Sequence, residues 1–110
     1  MSQAILVMTN VANVEQAKTL ATQLVEQGLA ACVNILPAVQ SVYRWQGVLE
    51  HAAEVSLMIK STALRYAELE ATISRLHPYE VPEIIAIAVT AGLPAYLNWI
   101  DAETLKAMNA

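Results

Sequence analysis

Three rhythms of apolar and polar residues run along the chain, and each selects an element. Ile5-Leu6-Val7-Met8 is an unbroken apolar run, the pattern of a strand buried on both faces. Asn13 follows, with Gln16 three residues on. That pairing opens a helix, because each side chain can satisfy a backbone N–H of the other's turn. Val14, Ala17, Ala21, Leu24 and Val25 then recur at helical spacing, with Glu15, Lys18, Thr22 and Glu26 opposite. Gly28 closes the helix as the residue free to turn left-handed after its last turn.

The rhythm next changes to alternation. Residues 29–36 are apolar except Asn34, and Pro37 interrupts the run. Beyond it Val39, Ser41, Tyr43 and Trp45 face one way and Gln40, Val42 and Arg44 the other. Gln46-Gly47 supplies a tight turn, and the chain returns through Val48, Leu49 and Glu50. Val55, Leu57 and Ile59 then alternate with Glu54, Ser56, Met58 and Lys60. Two alternating strands about a glycine turn form a β-hairpin. Each arm exceeds the usual five or six residues, so the tip should project from the domain.

Ser61 or Thr62 is placed to cap a second helix with the stripe Tyr66, Leu69, Ile73 and Leu76. Pro78 ends it by forcing the preceding residue out of the α region. Ile84-Ile85-Ala86-Ile87-Ala88-Val89 is another continuous apolar strand, and Gly92 and Pro94 introduce a last helix carrying Tyr96, Leu97, Trp99 and Ile100. The order β-α-β-β-α-β plus a terminal helix predicts an α+β, ferredoxin-like fold for residues 1–110 as one domain. Its two helices lie on one face of a four-stranded antiparallel sheet. The other sheet face then needs a partner or a ligand.

Composition sharpens that need. The chain of 110 residues is 56% hydrophobic and only 15% charged, against about 25% charged in ordinary soluble domains. A small globule with so few charges is expected to bury apolar surface against copies of itself. A net charge of −4, with the six basic residues scattered, excludes a phosphate-binding stripe and with it nucleic acid. No apolar run reaches the roughly 18–20 residues of a membrane span. A single cysteine and an N-terminus without a basic, long apolar leader predict a cytoplasmic location.

Four segments carry a family likeness: Leu29-Ala30-Ala31-Cys32-Val33-Asn34-Ile35, Ser41-Val42-Tyr43-Arg44-Trp45-Gln46-Gly47, His77-Pro78-Tyr79-Glu80-Val81-Pro82-Glu83-Ile84 and Tyr96-Leu97-Asn98-Trp99. Together they resemble the CutA family of divalent-cation tolerance proteins. The resemblance implies a compact homotrimer related in architecture to the PII signalling proteins, no enzymatic activity, and a link to copper or another divalent metal. It also implies that Glu54, Lys60, Tyr79 and Glu83 line a cleft between subunits. At two positions the chain departs from copper-binding members: Thr9 stands where they can carry a cysteine, and Leu76 where they can carry a second histidine.

Among donors that the sequence itself offers, Cys32 and His77 suit copper or zinc. Equally, Cys32 reads as a small buried hydrophobe and His77 as a cation favoured at a helix C-terminus. His51 sits in the outer hairpin as a solvated side chain. Trp45 at the tip marks a contact surface, either a ligand pocket between subunits or an interface anchor, and Trp99 reads as core or subunit packing. No G-x-S-x-G, P-loop or G-x-G-x-x-G occurs, and Pro82 breaks the helical spacing of Glu80 and Glu83. The functions expected are therefore a trimer with weak metal or small-ligand binding, or a trimeric scaffold that meets a partner protein through its hairpin tips.

Overall fold

The computed structural model describes residues 2–105. They form β1 (Ala4–Val11), α1 (Val14–Glu26), β2 (Cys32–Trp45), β3 (Val48–Thr62), a 3-10 turn (Ala63–Arg65) running into α2 (Tyr66–Leu76), β4 (Ile85–Ala88) and α3 (Pro94–Leu105). The strands make one antiparallel sheet in the order β2-β3-β1-β4, which is the ferredoxin-like α+β arrangement. Among the described residues, no helix is long and apolar enough to cross a membrane.

Local chemistry sets the limits of α1. Asn13 Oδ1 accepts the Gln16 N–H at 2.9 Å, and Gln16 Oε1 accepts the Ala12 N–H at 3.2 Å. At the far end Gly28 takes φ +69°. Its N–H donates to Val25 O and that of Leu29 to Leu24 O, both at 3.0 Å, so the helix ends in a Schellman motif. That turn delivers Leu29 into the core. The buried stripe is Ala17, Leu20, Ala21 and Leu24. Leu20 therefore joins the expected set, while Val14 and Val25 lie at its exposed margins.

On the sheet face beneath α1 and α2, Ile5, Val7 and Val11 of β1 meet Val55, Leu57 and Ile59 of β3 and Leu24, Leu69 and Ile73 of the helices. β1 is not buried on both faces as its apolar run predicts. It alternates, with Leu6, Met8 and Asn10 half-buried on the other side. β4 departs further: all four of its residues are exposed, and among the described residues it is an edge strand with no strand beyond it.

Pro37 does not end the second strand. β2 continues through it by a bulge, in which Leu36 opposes Ser56 and Val39 opposes Glu54. Ala38 adopts φ +62° there, and an edge strand tolerates the missing proline donor. At the tip Gln46 and Gly47 both have positive φ, +49° and +83°, the two-residue turn whose twist suits a hairpin. Strands of 14 and 15 residues stretch the molecule to 44 Å against a least dimension of 22 Å. The tip projects as expected.

Ser61 and Thr62 close β3 instead of capping α2. Ser61 Oγ donates to Leu29 O at 2.6 Å, and Thr62 makes no side-chain capping bond. The Leu64 N–H is taken by Ser2 Oγ at 3.1 Å, so the N-terminal segment supplies the acceptor. Leu69, Thr72 and Ile73 form the buried side of α2, and Leu76 is exposed. Trp99 is not in the protomer core: it is exposed beside Tyr96, with ring centroids 5.5 Å apart, while Ile100 and Thr104 are the buried residues of α3.

Candidate functional site

The bulge at Pro37–Ala38 decides what the outer hairpin offers. Four residues of β2 oppose three of β3, so side-chain parity reverses across it. As a result Ser41, Tyr43 and Trp45 share a face with Glu54, which the register continues through Ser56 to Asn10. This is the face turned away from α1 and α2.

A strap crosses the same face. His77 ends α2 in an extended conformation before Pro78, and residues 77–84 pass over the strand ends. His77 Nε2 donates to Asn10 O at 2.6 Å, and its Nδ1 accepts the Tyr79 N–H at 3.2 Å. A carbonyl only accepts and an amide only donates, so both ring nitrogens are engaged, Nε2 as donor and Nδ1 as acceptor. The Tyr79 ring packs edge-on against it at 4.6 Å, and its hydroxyl donates to Glu54 Oε2 at 3.1 Å. Asn10 ties the rest together. Its Nδ2 donates to Glu83 Oε1 at 3.2 Å, and its Oδ1 accepts from Ser56 Oγ at 2.5 Å.

Strap and hairpin enclose a cleft of about 680 Å³. Tyr43, Trp45 and Tyr79 supply aromatic walls, and Glu54, Glu80 and Glu83 supply carboxylates. Among the described residues no Lys, Arg or His lines it. Glu54 is only 9% exposed. Burial, then the hydrogen bond to Glu54 and the negative charge of that carboxylate, hold the Tyr79 hydroxyl above its usual pKa.

Four of the expected cleft residues, Trp45, Glu54, Tyr79 and Glu83, thus come together. Lys60 does not. It lies six residues from Glu54 along β3, about 20 Å at strand rise, where its ammonium donates to Asn34 Oδ1 and sits 3.9 Å from Cys32 Sγ. The metal donors are also apart. Cys32 opposes Lys60 whereas Asn10, which holds His77, opposes Ser56 four residues away. Neither imidazole nitrogen is free, and a lysine ammonium beside Cys32 disfavours a cation there. No group of three or more His, Cys, Asp or Glu among the described residues is placed to hold a metal ion. The donors of this protomer do not fit a divalent-metal site. His51 is exposed on the hairpin arm. Asn10, the hub of the network, carried no signal in the sequence; Tyr43 and Ser41 did, through their alternation with Trp45.

Solved structures superpose closely on this architecture. CutA from Xylella fastidiosa matches with a TM-score of 0.90 at 40% identity, covering 94% of this chain and 99% of that one. CutA1 from Oryza sativa matches with a TM-score of 0.91 at 38% identity, covering 94% of each chain. In sequence, the chain is 43% identical over 98 residues to the divalent-cation tolerance protein CutA of Thermus thermophilus, spanning 89% of this chain and 95% of that protein. The mouse protein CutA is 41% identical over 98 residues, and this chain spans 55% of its length. The model of the CutA1 divalent ion tolerance protein family matches residues 5–103, so almost every described element, cleft included, lies within the match, and the chain belongs to the CutA family.

Proposed function

We propose that this chain is a non-enzymatic divalent-cation tolerance protein of the cytoplasm that assembles as a homotrimer and works through the cleft of Trp45, Glu54, Tyr79 and Glu83 as a small-ligand site. The observation that carries the proposal is convergence. The strap and the bulged hairpin, far apart in sequence, bring aromatic and carboxylate side chains to one cavity, while Cys32 and His77 stay separate and engaged. Supporting the assembly, Ile85 and Ile87 on β4 and Val42, Val48 and Leu49 on the hairpin leave apolar surface exposed among the described residues. The lone Cys32 suits a reducing compartment.

Copper or another divalent metal is, in this reading, bound weakly and with donors from more than one copy. Calorimetric titration of Cu(II) is the test. Wild type, Cys32→Ser and His77→Gln should give superimposable weak isotherms. A tight site with one metal per protomer, abolished by either substitution, contradicts the proposal. The scaffold reading rests on Val48 and Leu49 at the exposed tip. It predicts that Leu49→Ala releases a bound partner protein in a pull-down with the particle mass unchanged, whereas the homotrimer reading predicts a lower particle mass.

A further inference from the structure

We draw no further inference here: the strongest candidate, the groove of about 310 Å³ on the helix-covered side between α1 and the end of α2, floored by Val11 and Leu20 and walled by Leu76 and Pro78, carries nothing because nothing in the structure shows what covers it.

Discussion

On the side covered by α1 and α2, Val7, Leu57 and Ile59 are sealed from water, whereas Ile87 on β4 is 50% exposed and Leu49 on the outer hairpin 58%. The residue types are alike and the strands belong to one sheet. What differs is the cover. The inner side finds its apolar partners on two amphipathic helices of the same chain. The outer hairpin outruns those helices, and β4 has no strand beyond it. Apolar residues on the first side stabilise the protomer; those on the second have no intramolecular work, and their stabilising effect depends on another molecule.

Truncating matched leucines on the two sides breaks the comparison apart most visibly. Leu57→Ala should lower the unfolding free energy by about 3 kcal/mol at every protein concentration in urea titrations. Leu49→Ala should act through association, so its effect on the midpoint should change with protein concentration; equal, concentration-independent losses would show the two sides to be equivalent. A backbone change comes next. Gly28→Ala puts a side chain on a residue at φ +69° and should cost about 1 kcal/mol, read from the same titration, because a Cβ is strained in the left-handed turn that brings Leu29 inward. Smaller still is a gain. Thr9 Oγ1 is buried on the covered side without a hydrogen-bond partner, so Thr9→Val should stabilise by up to about 1 kcal/mol. A loss would mean that the hydroxyl has a partner.

The smallest effect belongs to the cleft. The Tyr79 hydroxyl is held above its ordinary pKa of 10.0 by burial first and then by Glu54. The unfolded chain therefore loses this proton before the folded one does. Stability from this source is complete below pH 10 and declines as pH rises past it. Tyr79→Phe should flatten the alkaline limb of the stability–pH curve, and an unchanged limb would show the phenol to be in ordinary surroundings.

Much of the fold was legible because it depends on neighbours in sequence. Asn13, Gly28 and the alternation from Val39 to Trp45 act over two to four residues, and each did what its chemistry predicts. Pro37 marked the break in the apolar run but not its form: a proline inside a strand is tolerated at an edge or a bulge, and edge status depends on where β2 falls in the sheet. Ser61 and Thr62 misled for a related reason: the hydroxyl that serves the first turn belongs to Ser2, 62 residues away. In the site, Trp45, Glu54, Tyr79 and Glu83 were legible as chemistry but not as a cavity. Asn10, 67 residues from His77, had nothing in its type to announce a hub. Cys32 and His77 show the converse: suitable donor types, which the register of β1, β2 and β3 keeps apart.

The uncovered side is the centre of the account, and the mass of the particle in solution tests it most directly. Sedimentation equilibrium of the wild type should give three times the 11.9 kDa chain mass, and Ile87→Asp, on the exposed edge strand, should shift the particle towards the single chain with its helical circular dichroism retained. A folded wild-type chain that remains at the monomer mass across micromolar concentrations would contradict it.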